Sequence, residues 1–211
     1  MKLLNLIAIS AILLSSCSDK SKDGANGKED ENTTSGSEKS ITCSETNSLK
    51  IESDSVFLNE FKYSQVKSVN GGWNFSGKQC PKTSIYFSNY NAELTSLSIK
   101  TPKNEGEYLI EVAFTGAPNA SGEKLPYLEA GEYPAGSHWD GNPGFSVVIY
   151  DNSGMSMTEF FDLDKSTGNG TISNINKNKV CGSVSLKDEN GNTIEASFSL
   201  DIVKDTWEEF R

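Results

Sequence analysis

Residues 193–202 alternate strictly between apolar and polar side chains, and this feature restricts the fold more than any other. The apolar residues Ile, Ala, Phe, Leu and Ile occupy every second position, and polar residues fill the positions between them. Successive side chains of a strand point to opposite faces, so the pattern predicts a β-strand with one buried and one solvent-facing side. Residues 180–186 alternate in the same way. The two segments therefore predict a hairpin.

The connections next to this hairpin carry turn signals. Asn190-Gly191 lies between its two strands and predicts a type I′ turn, because both residue types tolerate a positive φ. Residues 171–175 predict a third strand. The preceding Gly168-Asn169-Gly170 predicts a turn, since no helix follows it as a dinucleotide-binding loop would require.

Further short segments are rich in β-forming residues and are separated by Gly, Asn, Asp or Pro. The predicted strands are 73–75, 85–90, 94–99, 108–114, 145–150 and 155–163. For residues 55–63, a short helix is the alternative to a strand. About ten short strands without a long helical pattern predict an all-β domain. We expect an antiparallel β-sandwich, with a closed lipocalin-like barrel as the alternative.

The N-terminus has the layout of an export signal. Lys2 precedes an apolar run over residues 3–14, which is shorter than the roughly 20 residues that cross a bilayer. Leu14-Ser15-Ser16-Cys17 follows and resembles the lipobox of bacterial lipoproteins. The resemblance implies cleavage before Cys17 and attachment of acyl chains such as palmitate to it. It thus implies anchoring to a lipid bilayer, with the outer membrane, on its periplasmic or surface face, as the expected location.

The next segment, residues 18–40, consists of Ser, Gly, Asn, Thr and charged residues, with one Ala. Such a composition buries too little surface to offset the entropy of ordering, so we expect a disordered tether. Residues 41–211 then form a single β domain. The formal net charge of −10 argues against a nucleic-acid partner.

Three cysteines follow Cys17 in the chain, and an oxidising compartment predicts one disulfide and one free thiol. Cys181 lies within an alternating strand, whereas Cys43 and Cys80 lie at the edges of predicted structure. We therefore expect a Cys43–Cys80 disulfide. No C-x₂₋₄-C spacing occurs and only one histidine is present, so no metal site is predicted from these residues.

The connection over residues 116–144 is longer than compact domains usually need, and long ordered loops often carry function. It contains four prolines and the candidate binding residues Tyr127, Tyr133, His138 and Trp139. Aromatic rings near Asn and Asp suit contact with a glycan or a protein. The alternative is that these aromatic residues only close one end of the fold.

Catalytic motifs are absent from the sequence. Ser137 and His138 are adjacent in the sequence, which does not indicate a catalytic nucleophile and its general base. No G-x-S-x-G nucleophile elbow occurs. Asp162 and Asp164 begin a calcium-loop pattern, but its glycine falls one position late and no Glu closes it. We expect no catalytic residue, metal or cofactor, and a non-enzymatic protein.

The C-terminal pattern GTISNINKNKVCGSVSLKDENGNTIEASFSLDI resembles the last strands of small uncharacterised β-sandwich lipoproteins of Bacteroidota. That resemblance implies no catalytic residues. The expected function is therefore that of a lipid-anchored protein that binds a protein or glycan partner through its loops. The alternative is a small hydrolase or a ligand-carrying barrel that uses a pocket near His138.

Overall fold

Nine strands and one short helix account for the regular structure in the described part of the chain. In chain order they are β1 (Ser48–Glu52), α1 (Val56–Glu60), β2 (Gln65–Phe75), β3 (Lys78–Ser88), β4 (Leu109–Thr115), β5 (Gly131–Pro134), β6 (Gly144–Tyr150), β7 (Thr167–Ile175), β8 (Lys179–Lys187) and β9 (Thr193–Asp205). The computed structural model describes residues 43, 46–94, 99–119, 128–136, 142–153 and 165–205. All of them lie within one unit, Ser40–Arg211. The all-β prediction is confirmed.

The strands form one mixed sheet in the order β5-β7-β8-β9-β2-β3-β4-β6, with β1 also paired to β9. All neighbours are antiparallel except β2 and β9, which run parallel. The two ends of the sheet meet where Ala135, after β5, bridges Phe145 of β6, and Gly136 N–H donates to Phe145 O at 3.1 Å. The sheet is therefore nearly closed and corresponds to the barrel alternative rather than to two packed sheets.

Alternating apolar side chains fill the interior of this barrel-like sheet. Phe114 of β4 lies at its centre, with ring centroids 5.9 Å from Phe145 and 5.8 Å from Phe198. Ile194, Ala196 and Phe198 of β9 are all buried, as their alternation predicts. The buried face of the C-terminal hairpin thus packs against the opposite wall of the barrel.

The connection between β8 and β9 differs from the predicted type I′ turn, and that prediction is wrong. Gly191 has a φ of 87°, but Asn190 is not in the positive region that a type I′ turn also requires. Instead, Gly191 N–H donates to Asp188 O at 3.2 Å, and the Asp188 carboxylate accepts from Asn192 N–H at 2.8 Å. A buried Asp side chain therefore organises a longer loop.

Gly168-Asn169-Gly170 lies inside β7, so the predicted turn there is also wrong. Glycine is required because neighbouring atoms approach closely. A Cβ on Gly170 would lie 2.7 Å from Phe114 Cε1 and 2.9 Å from Phe145 Cδ1. The small residues that indicated a turn instead make room for the aromatic core.

Strand β4 is buried along both faces. Ile110, Val112 and Phe114 face the barrel interior. On the outer side, Leu109 belongs to a second apolar cluster with Val69, Tyr86, Ala92 and Ile99. The connection between β3 and β4 therefore folds back over the outside of the sheet.

The single disulfide among the described residues joins Cys43 to Cys181, and the predicted Cys43–Cys80 pairing is wrong. Residues before β1 lie along β9, where Asn47 Oδ1 accepts from Ser199 N–H at 2.8 Å, so Cys43 can reach β8. Cys80 lies in β3 with its thiol free and buried. The position of Cys181 in an alternating strand does not prevent a disulfide, because its side chain points away from the core.

Several predicted elements have defined outcomes. The short helix that was an alternative for residues 55–63 is present as α1. Strand β2 is far longer than the predicted strand 73–75. In the predicted strand 94–99, the two end residues, Leu94 and Ile99, form an antiparallel bridge.

The predicted strand 155–163, the signal sequence and residues 18–40 lie outside the described residues. In the described ranges, no helix has the length and apolar character needed to span a membrane.

Candidate functional site

A pocket of about 390 Å³ lies at one end of the barrel, which we call the upper end, where β4 ends and β6 begins. Its described lining residues come from four places along the chain and form what we call the Tyr133 pocket. They are Pro81, Gly116, Ala117, Leu128, Glu129, Ala130, Gly131, Glu132, Tyr133 and Pro143. Its volume falls in the range of ligand-binding pockets, about 300–1,000 Å³.

Backbone hydrogen bonds hold the first wall of this pocket against β3. After β4 ends, Gly116 N–H donates to Pro81 O at 2.9 Å, and Asn119 N–H donates to Gln79 O at 2.8 Å. A Cβ on Gly116 would lie 2.7 Å from Pro81 Cγ and 2.8 Å from Leu128 Cδ2. Glycine at this position therefore lets the chain pass between two apolar side chains.

Tyr133 holds the second wall in place. Its hydroxyl donates to Glu129 O at 2.7 Å, which closes the turn before β5. Its ring meets the edge of Phe114 at a centroid distance of 5.5 Å and is only 8% exposed. Burial raises the pKa of Tyr133, although the hydrogen bond to the Glu129 carbonyl partly offsets this rise. The residue lines the pocket mainly as a structural support.

Two acidic residues are among the described lining residues of the pocket. Glu129 and Glu132 both line it, and both residues are exposed to solvent. None of the described lining residues is basic. Pro81, Ala117, Leu128 and Pro143 supply apolar surface. The described lining therefore combines apolar residues with two acidic ones.

Of the predicted binding residues, the structure describes only Tyr133. It brings Tyr133 to the pocket but buries most of its ring. Tyr127, His138 and Trp139 lie outside the described residues, so their roles stay predictions. Sequence reasoning missed Pro81, Glu129 and Glu132. The length of segment 116–144 pointed to the region, but Pro81 joins it only through long-range packing.

A second polar cluster lies on the outer face of the sheet and centres on Glu111 of β4. Its Oε1 accepts from Lys82 Nζ at 2.9 Å and from Ser84 Oγ at 2.6 Å, while Oε2 accepts from the Tyr150 hydroxyl at 3.1 Å. The Tyr86 hydroxyl also donates to Oε1, at 3.2 Å. We call these five residues the Glu111 network.

Electrostatics in the Glu111 network favour the ionised carboxylate. Burial by itself raises the pKa of Glu111, but the charge of Lys82 and the hydrogen bonds from Ser84, Lys82 and Tyr150 outweigh it. The pKa therefore lies below its ordinary value of 4.5. Burial, reinforced by the Glu111 charge, raises the pKa of Tyr86 and Tyr150. Both oxygens of Glu111 are engaged within the protein, so the network serves the fold rather than a ligand.

A smaller recess of about 290 Å³ lies at the lower end, between β1, α1 and the β8–β9 loop. Asn59 accepts from Ser53 N–H at 2.9 Å and donates back to Ser53 O. The polar groups there are engaged mainly with one another. Across the described ranges, no three His, Cys, Asp or Glu side chains are grouped as metal ligands. The candidate calcium residues Asp162 and Asp164 lie outside those ranges, and Lys165 next to them pairs with Glu189 at 2.7 Å.

Comparisons with known proteins add no family assignment: no protein-family model, curated protein or solved structure matches this chain.

Proposed function

We propose that this chain is an exported, lipid-anchored binding protein whose barrel-like domain holds a partner in the Tyr133 pocket. The observation that carries the proposal is the pocket itself, because Pro81 of β3 and the described residues 116–117, 128–133 and 143 together line a concave site of ligand-binding size. The partner is a protein or a glycan, and no chemical step is required of the site.

The N-terminal sequence supports the anchored location. Lys2, the apolar run and Leu14-Ser15-Ser16-Cys17 make up an export signal with a lipobox-like end. The Cys43–Cys181 disulfide is consistent with this, since disulfides persist in oxidising compartments outside the cytoplasm. Acyl chains on Cys17 would hold the protein at a bilayer durably, because each buried methylene contributes about 0.8 kcal/mol.

Two experiments test the two halves of this proposal. Cys17→Ala is expected to abolish incorporation of labelled palmitate and to leave unprocessed precursor. Continued labelling of that variant would remove the anchor from the proposal. Cys80→Ala, which alters a buried thiol in β3, is the matched control and is expected to retain the label.

The pocket is tested by Ala117→Trp, which fills it with a large ring from an exposed position and leaves its charge unchanged. Amide NMR shifts of the full chain in detergent micelles are followed during titration with short peptides and neutral oligosaccharides. We expect shifts at Ala117, Glu129 and Tyr133 that Ala117→Trp abolishes. Shifts confined to residues 52–59 and 190–192 would place binding at the lower end instead.

A further inference from the structure

We propose that residues 206–210 add a strand to the open edge of β2 at residues 71–75, in a parallel pairing that continues the one between β2 and β9. We call residues 71–75 the β2 edge. The inference is independent of the proposed binding function. It follows from the backbone groups of the β2 edge, from the register in which β9 reaches it, and from the glycines within it.

The β2 edge has a neighbouring strand on one side only, as far as the described ranges extend. Strand β2 pairs with β3 along its whole length, but β9 pairs with it no further than Asn70. Gly72 and Asn74, beyond that point, are exposed to solvent. An open strand edge of this kind is a template for a further strand.

The hairpin between β2 and β3 fixes which backbone groups of the β2 edge point outward. Ser76-Gly77, with φ angles of 49° and 78°, is a two-residue turn, so Phe75 and Lys78 are the hydrogen-bonded pair that closes the hairpin. Every second residue of β2 then points away from β3. The N–H and C=O groups of Gly72 and Asn74 therefore lie on the open side.

Hydrogen bonds on the far side of β3 agree with this alternation. Pro81 O accepts from Gly116 N–H at 2.9 Å, on the side of β4. Gln79 O accepts from the same connection at 2.8 Å. Residues 79 and 81 thus point away from β2. Their register partners in β2, Asn74 and Gly72, must likewise point away from β3.

Strand β9 reaches the β2 edge in register. Its last described pairs with β2 are Lys204 with Val69 and Asp205 with Asn70, both parallel. Residues 206–210 follow Asp205 directly and match the five positions of the β2 edge one for one. Because this segment is joined to a strand that is already in place, its effective concentration at the edge is high. This favours the segment over a strand from another molecule.

The residue types at the meeting positions support the pairing. Gly71 and Gly72 weaken a strand, because glycine has no side chain to pack and loses much conformational freedom on folding. The continued register places Gly72 opposite Trp207, and an aromatic residue beside an edge glycine compensates for this weakness. Pro81 is the partner of Gly72 in β3 and lines the Tyr133 pocket. The added strand would therefore also stiffen one wall of that pocket.

Amide hydrogen exchange of the full chain in detergent micelles, followed by NMR, tests the inference. The N–H groups of Gly72 and Asn74 would donate to the added strand, so we expect them to exchange at least about tenfold more slowly than those of exposed loops. The N–H groups of Gly71 and Trp73 point to β3 and should exchange slowly in any case. Fast exchange at Gly72 and Asn74 in the natural chain would overturn the inference.

Two proline substitutions at neighbouring glutamates identify the strand. In a parallel pair, Gly72 bonds to the residues on either side of its opposite number, so the N–H of Glu208 would point to β2 and that of Glu209 away from it. Proline is tolerated in a strand only where its nitrogen faces solvent. Glu208→Pro should speed exchange at Gly72 and Asn74 about tenfold or more, whereas Glu209→Pro, the matched control, should leave it unchanged. Equal exchange rates in the two variants would contradict the pairing.

A second copy of the chain is the competing occupant of the β2 edge, and dilution distinguishes it. Protection that persists in Glu208→Pro but falls on dilution would assign the edge to a second copy and overturn the inference. Protection that persists in Glu208→Pro at every concentration would overturn it as well. The amides of Ile194 and Ala196, in the part of β9 that pairs on both sides, are expected to stay protected throughout and show that each variant keeps its fold.

Discussion

Lys82 Nζ lies 2.9 Å from Glu111 Oε1 on the outer face of the sheet, where the Glu111 side chain is only 7% exposed. Lys82 and Glu111 come from the neighbouring strands β3 and β4, and Ser84 of β3 donates to the same carboxylate oxygen. Breaking one partner of a buried pair leaves the other uncompensated, whereas replacing both partners costs less. The Glu111 network therefore has a measurable effect on stability.

Glu111→Gln is expected to lower the free energy of unfolding by about 3 kcal/mol, because Lys82 then keeps its charge beside a neutral amide. Urea unfolding at neutral pH measures the change. Glu52→Gln breaks the exposed Lys50–Glu52 pair and is expected to leave the urea midpoint unchanged within error. Equal effects of the two substitutions would contradict the burial of Glu111.

The low pKa of Glu111 predicts how stability depends on pH. Its pKa is lowered on folding from an ordinary value of 4.5, so its ionised form stabilises the protein above that pH. This contribution is lost as the pH falls below about 4.5 and through the folded-state pKa. Unfolding experiments from pH 7 to pH 3 should show a shallower decline for Glu111→Gln than for the natural chain; parallel curves would contradict the prediction.

The disulfide prediction concerns both connectivity and stability. Cys43 and Cys181 are 138 residues apart, so the bond restricts the unfolded chain strongly and its removal is expected to cost about 3–5 kcal/mol. Cys43→Ser in thermal or urea unfolding measures this cost. Peptide mapping after alkylation under denaturing, non-reducing conditions should label Cys80 and leave Cys181 unlabelled. Labelled Cys181 together with protected Cys80 would overturn the assigned connectivity.

Phe198→Ala tests the core prediction. The ring is fully buried and meets Phe114 across the barrel at a centroid distance of 5.8 Å, so truncation is expected to cost about 3–5 kcal/mol. Ser183→Ala on the exposed face of β8 is the control, with an expected change within about 0.5 kcal/mol. Both are measured by urea unfolding, and a small effect at Phe198 would show that the ring is not packed as described.

Gly170→Ala tests the close approach of β7 to the aromatic core. The added Cβ would lie 2.7 Å from Phe114, and overpacking of this kind costs about 1–3 kcal/mol. Gly131→Ala is the matched control in the neighbouring strand β5, where a Cβ meets no atom within 4 Å. Thermal melting should therefore show a loss for position 170 alone. Equal melting temperatures for both variants would mean that β7 lies further from Phe114.

The candidate site shows where sequence reasoning ended. The length of segment 116–144 and its Tyr133 indicated the right region, because a long connection is visible in the sequence. Pro81 lies in β3, far from that segment in the sequence. The hydrogen bond from Gly116 N–H to Pro81 O holds the two parts of the chain together at the pocket. That Glu129 and Glu132 line the same pocket was likewise hidden, since exposed Glu residues are common and their grouping depends on the fold.

Within the C-terminal hairpin, the sequence by itself determined which residues form strands and which faces are buried. Alternation over 193–202 is a local property, because neighbouring side chains of a strand point to opposite sides whatever the strand pairs with. The tertiary structure alone decided the parallel pairing of β2 with β9, the near closure between Ala135 and Phe145, and the Cys43–Cys181 bond. These contacts join residues that are distant in the chain, so their partners are fixed by the register of the whole sheet. Glu111 shows the consequence, because the packing around the outer face buries this charged residue beside Lys82.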